Sequence, residues 1–292
     1  MKKILLQTTI PFTEDDWHVG RFSLLRRHLE SLTSPDGQSL YDVIARDREE
    51  DSEGNDRVLS TLHDSDVDEL WLFAVDMGDG LTKADCTGIT RFRQRGGGIL
   101  STRDHFDLGS SLCTIGGIGA AHYFHSKQPD PDESRNARDD VATESIDFPN
   151  YHSGSNGDYQ IVMPSGDPHD LLRRDDGTLI NRFPAHPHEG GIGAPADQDA
   201  RVIATGTSQA TGRDFNLVVA FEAERDRHNN RLGRAIAESS FHHLVDYNWD
   251  IDAGCPSFLE EPPGDGYKRE PQALDDIKQY VANAARWLSP NE

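Results

Sequence analysis

The stretch Gly96–Cys113 reads GGGILSTRDHFDLGSSLC. Gly96, Gly97 and Gly98 are a turn signal, and Ile99-Leu100 is the apolar centre of a short buried strand. A polar burst, Ser101 to His105, follows at the end of that strand. Asp107-Leu108-Gly109 then opens a segment of small residues, Ser110 to Ala121, which reads as a closely packed helix with Asp107 as its cap. In an open α/β sheet, ligands bind outside the carboxyl ends of the strands. Thr102, Arg103, Asp104, His105 and Asp107 are therefore the first candidate wall of a site.

The sequence on either side supports such a sheet. Lys3–Ile10, Tyr41–Ala45 and Glu69–Asp76 are apolar runs of strand length. Between them, Phe22, Leu24, Leu25, Leu29 and Leu32 recur at helical spacing, and Thr82 can cap a helix over Lys83–Arg95. Strands that are apolar throughout, rather than alternating, belong to a parallel sheet covered on both faces. The expected fold is α/β, a flavodoxin-like three-layer sandwich. Further strands are expected at Tyr159–Met163, Arg201–Gly206, Phe215–Glu222 and Gly233–Ser240. The region Arg225–Leu232 between the last two reads as a hairpin loop, which would add an antiparallel extension to the sheet. Gln128–Gly157 is rich in Asp, Ser, Asn and Pro and reads as an insertion, and Thr178–Ala196, rich in Gly and Pro, as irregular. An amphipathic helix closes the chain over about 271–289, and a single domain spans 1–292.

The balance of charge narrows the partners. With 51 acidic and 29 basic residues among 292, the formal charge is −22. That argues against binding a phosphate backbone, which needs a basic face. No run approaches the length of a membrane span, and MKKILLQTTIPF, without a full h-region or a small-residue cleavage site, reads as a first strand; the cysteine usage makes a reducing cytoplasm the expected location. Cys86, Cys113 and Cys255 are widely spaced, odd in number and without a CxxC, so neither a disulfide framework nor a thiolate zinc site is expected. The expected partner is a small molecule. The cofactor is left unassigned, and self-association is left open.

The chain resembles the trehalose-utilisation (ThuA-like) family within the class I glutamine-amidotransferase-like superfamily. GGGILSTRDH, RVIATG, FNLVVAFEAE and LGRAIAESSFHH carry the resemblance, which spans most of residues 1–250. In ThuA-like proteins a Gly-rich turn leads into the strand whose end holds the elbow, and a later strand pair ends in a His. Gly233-Arg234 and His242 or His243 match that later part. Glutamine amidotransferases keep a Cys at the elbow. Here that place is Thr102-Arg103-Asp104-His105, and Cys113, among small and apolar residues, reads as a buried structural thiol. The resemblance thus implies a site without a glutaminase nucleophile. It associates the chain with carbohydrate and fixes no substrate.

Acid–base chemistry by His105, Asp104, His242 and His243 is the expected catalysis, if the chain is an enzyme. Asp104 or Asp107 could orient His105, and Arg103 could hold an anionic group. An ion-pair and capping network is the competing reading of the same residues. His18 and Asp76 follow the first and third strands and are further candidate ligand contacts, whereas Trp17 is read as core. Asp246 and Asn248 could orient a neighbouring His or cap a turn. His186-Pro187-His188-Glu189 is the most metal-like local cluster, but it supplies too few ligands by itself and reads as an exposed loop. Two other classes remain: a non-catalytic binding or assembly module, and a metal-dependent hydrolase using His186, His188 and Glu189.

Overall fold

The computed structural model describes residues 1–135, 139, 146, 150–225 and 232–289. Part of the Asp-rich stretch and most of the loop expected at 225–232 lie outside the described residues. Strands β1 (Lys2–Thr8), β2 (Tyr41–Arg46), β3 (Glu69–Phe73) and β4 (Gly98–Thr102) belong to an eight-stranded sheet. Four short strands, β5 (His122–Tyr123), β6 (Tyr159–Ile161), β8 (Arg182–Pro184) and β9 (Gly191–Ile192), pair outside it as β5–β9 and β6–β8. The main sheet is completed by β7 (Met163–Pro164), β10 (Ala200–Thr207), β11 (Asp214–Phe221) and β12 (Ala235–Glu238).

Strand order is β2-β1-β3-β4-β12-β11-β10-β7. The first five strands are parallel, and β11, β10 and β7 continue the sheet antiparallel. This is an α/β sandwich with a doubly wound parallel half, as the apolar strands led us to expect. Every residue of β3 and β4 is buried, because helices cover both faces. Ile4, Leu6, Trp71, Phe73 and Leu100 pack with α1 (Ser23–Ser31) and with α6 (Leu274–Leu288). Leu5, Leu70, Leu72 and Ile99, one residue out of phase, join Leu59 of α2 (Arg57–Ser60) and Ile89 and Phe92 of α3 (Lys83–Gln94) on the other face. Thr82 caps α3, with the Asp85 side chain reaching back to the Thr82 backbone. Two further short helices, α4 (Asp246–Trp249) and α5 (Gly266–Arg269), precede α6.

Two local expectations change. Ser110–Ala121 is not one helix but two 3₁₀ turns, Ser110–Thr114 and Ile118–Ala121. Gly117 between them has φ +80°, which a right-handed helix cannot contain. The loop holding His186, His188 and Glu189 is not exposed: all three side chains are buried. Tyr151 and Glu189 exchange backbone hydrogen bonds at 2.8 Å, so the end of the Asp-rich insertion pins this loop against the sheet.

Candidate active site

Parallel pairing places Thr102 of β4 opposite Glu238 of β12. The residues that follow each strand therefore leave the sheet side by side. After β4 come Arg103, Asp104 and His105; after β12 come Ser239, Ser240 and the 3₁₀ turn Phe241–His243. The buried loop 185–190 is the third component, and the Gly190 N–H donates to the Ser239 carbonyl at 3.0 Å.

Asp104 is the hub. Its side chain is 2% exposed, and Ser240 Oγ donates to Oδ1 at 3.1 Å. His105 Nδ1 lies 3.1 Å from Oδ2, His186 Nδ1 lies 3.4 Å from Oδ1, and His242 Nε2 lies 3.8 Å from Oδ2. Burial pushes the Asp104 carboxyl up, but the charge and hydrogen bond of His105, with His242 and His188, outweigh it and hold the pKa below the usual value. His105 is the hub's open side, with 18% of its side chain exposed.

The imidazoles of His186 and His242 are kept neutral. Burial lowers His242 to about 3 against the pull of Asp104, and burial with the neighbouring His242 and His188 holds His186 well below its ordinary value. The rings of His186 and His242 stack at 3.6 Å, 14° from parallel. The edge of Trp17 meets His242 at 4.8 Å, so this core tryptophan is also a wall of the site. His186 Nδ1 accepts the His188 N–H at 3.3 Å, while His188 Nε2 holds Glu261 at 2.9 Å. His242 Nδ1 is buried without a hydrogen-bond partner among the described residues.

His243 and Glu189 belong to a different, fully buried network. His243 Nδ1 faces Glu238 at 3.3 Å, and its Nε2 faces Glu189. Ser153 and Ser239 each donate to Glu189 at 2.8 Å, and Tyr280 donates to Glu238 at 2.8 Å. Burial lowers the His243 pKa, but the two glutamates overcome it and raise it to about 10, so His243 is a cation clamped between carboxylates. Of the adjacent pair, His242 turns to Asp104 and His243 turns into the core.

Other expected site residues are placed as supports. Arg103 is fully buried; it donates to the carbonyls of Phe106 at 2.6 Å and Gly191 at 3.4 Å and lies over the Phe124 ring. Thr102 is buried in the sheet. Asp107 accepts the Ser126 N–H, and Asp76 accepts Ser111 Oγ and the Gly78 N–H, so both hold turns. His18 accepts the Gly20 N–H and packs on Phe12. Asp246 caps α1 through Ser23 and Leu24, and Asn248 Nδ2 donates to the His242 carbonyl. Phe106 is the one non-glycine with a left-handed backbone among the described residues, φ +53°, so the chain turns sharply straight after His105. Cys113 is half-buried against the α3-side core.

Glu238, Ser240 and Glu261 escaped the sequence reading. Glu238 had one available signal, a carboxylate ending the otherwise apolar strand AIAE. Ser240 reads locally only as the cap of the turn that follows it, and Glu261 carries no local signal, because Asp104 and His188, which they meet, lie far along the chain.

Among solved structures, the chain is similar to a ThuA-like protein from Parabacteroides merdae, at 17% identity and TM-score 0.55, over 98% of this chain and 89% of that one. It is also similar to two cytoplasmic proteins of Salmonella typhimurium, each at TM-score 0.50, with 10% and 11% identity and coverage of 98% or more of both chains. At these identities the likeness is one of fold. No family model matches the sequence. No curated protein matches it. No helix among the described residues is long and apolar enough to cross a membrane.

Proposed function

We propose that this is a ThuA-like cytoplasmic protein that binds a small polar molecule, of the carbohydrate class, at the carboxyl edge of its sheet. On this reading it acts on its ligand by acid–base chemistry through His105 and Asp104. The observation that carries the reading is the pairing of the half-open His105 with the buried carboxylate of Asp104 at 3.1 Å. With Nδ1–H donated to Asp104, Nε2 of a neutral His105 carries the lone pair and can take a proton from a bound hydroxyl. Asp104 fixes the tautomer and stabilises the cation that forms. The missing elbow cysteine does not affect this chemistry.

The test is a panel of mono- and disaccharides followed by calorimetry and product analysis, with wild type, His105→Asn and Asp104→Asn. A bound sugar whose turnover falls about 10²–10⁴-fold in both variants supports the reading. A sugar bound without turnover by all three proteins points to a binding module, and no sugar bound at all removes the carbohydrate class.

One observation favours a metal-assisted reading. Donor atoms of Asp104, His186 and His242 all lie within 4.8 Å of one another. This set differs from His186, His188 and Glu189: Glu189 is taken up by His243 and two serines, and His188 by Glu261. The stack of His186 on His242 opposes the reading, because lone pairs in parallel ring planes 3.6 Å apart cannot both point at one ion. The ring of His242 would have to turn. Elemental analysis of protein purified without chelators decides the point: one equivalent of a transition metal, lost in Asp104→Asn, supports it, and none removes it.

A further inference from the structure

A cavity of about 500 Å³ lies between α1, α4, α5 and the start of α6, and it shares no residue with the cluster around Asp104. That is the size of an ordinary small-molecule site. Its walls combine ring surface, from Trp249 and Tyr267, with three cations, Arg27, Lys268 and Lys278. Asp250 is the single carboxylate among the lining residues.

This composition runs against the rest of the chain. The protein carries a formal charge of −22 and only six lysines, and two of them line this one cavity. Arg27 and Lys278 make no ion pair among the described residues, while Lys268 reaches Asp252 at 2.7 Å. His28 adds no charge: burial and the nearby Lys278 lower its pKa, and its Nε2 lies 2.9 Å from the Lys278 carbonyl. Gathering cations around a partly apolar hollow costs self-repulsion, which an anion entering the hollow relieves. With Lys268 paired to Asp252, Arg27 and Lys278 still outnumber the lining carboxylate Asp250, which suits a phosphate monoester, an anion of about −1.5 to −2 at neutral pH.

We propose that this cavity binds a phosphorylated, ring-bearing small molecule of the mononucleotide class, with the ring against Trp249 and Tyr267 and the phosphate drawn to Arg27, Lys268 and Lys278. The proposal stands independently of the chemistry assigned to His105. The two places are nevertheless joined. Asn248 Nδ2, in the cavity wall, donates to the carbonyls of Ala185 and His242, and Trp249 Nε1 donates to that of His243 at 2.8 Å. The backbone that carries His186 and His242 is thus fastened to the same short helix that a ligand would touch.

The experiment is calorimetric titration of the full chain with AMP, with adenosine as the ring-only probe and inorganic phosphate as the anion-only probe, in wild type and the Arg27→Gln/Lys278→Gln variant. Tryptophan fluorescence gives a second readout. Neither substituted side chain makes an ion pair among the described residues, so thermal melting of the unliganded variant should match wild type. AMP is expected to bind and to change the fluorescence. Adenosine and phosphate should each bind at least about tenfold more weakly, and the variant should lose about tenfold or more in AMP affinity. Absence of AMP binding at about 1 mM, undiminished binding by a folded variant, or phosphate binding as tightly as AMP would each overturn the proposal.

Discussion

Nε2 of His243 lies 3.1 Å from each carboxylate oxygen of Glu189. Both residues carried sequence signals for a reactive site, and the pair instead forms a fully buried brace with Glu238. His243→Gln removes the cation and leaves two carboxylates facing each other in the core. Stability should fall by about 3–5 kcal/mol, read from the denaturant midpoint. His105→Gln, at the open rim, should move that midpoint by less than about 1 kcal/mol. Equal effects would contradict the division between brace and site.

Ser240 links the two strand exits. Its Oγ donates to Asp104 and accepts the His242 N–H, each at 3.1 Å. Ser240→Ala should cost about 1–2 kcal/mol in folding and loosen the carboxylate that orients His105. A fall in turnover at unchanged KM is the expected kinetic signature once a substrate is in hand.

Arg103→Lys should behave as a core defect rather than as a loss of ligand affinity. The guanidinium reaches two carbonyls and lies 4.3 Å from the Phe124 ring centroid, an arrangement that an ammonium group cannot reproduce. A lowered melting temperature with an unchanged ligand Kd is expected. The reverse pattern would return Arg103 to the site.

Gly190→Ala addresses the packing of the third loop. A methyl group there would collide with the Asp104 carbonyl and would lie 2.6 Å from Arg103 Nη1. The backbone oxygen cannot move aside as a side chain can. Both stability and ligand binding should suffer, measured by melting and calorimetry on one preparation.

Stability should decline toward alkaline pH. Burial raises Glu69 from 4.5 to about 8, against hydrogen bonds from Trp71 and Ser289. The folded state holds this proton more tightly than the unfolded state. The contribution is therefore complete below about pH 4.5 and is lost as pH rises through about 8. His243, raised from 6.5 to about 10, adds a second loss between those values. Asp68, Lys2, Trp71 and Ser289 are the groups that act on Glu69. Glu69→Gln should remove the lower part of this decline and should be the more stable protein at pH 9, by roughly 1–4 kcal/mol. Parallel melting curves for the two proteins across the range would contradict the assignment.

The sequence by itself determined the sheet. Apolar runs such as Glu69–Phe73 and Gly98–Thr102 can be buried only if helices cover both faces, and the order of strands and helices then follows from short connections. It also placed a polar cluster, Thr102 to His105, at the carboxyl edge of a buried strand, where α/β sheets bind ligands. Tertiary structure alone decided which of those residues meet. The Gly/Pro-rich loop that carries His186 and Glu189 has no periodicity from which burial can be read, and only its pairing with Tyr151 brings it onto Asp104 and His243. His242 and His243 are neighbours with the same chemistry. What separates them is the 3₁₀ turn Phe241–His243, which aims one ring at Asp104 and the other between two glutamates. Such a choice depends on groups far away in the chain, which local sequence does not encode.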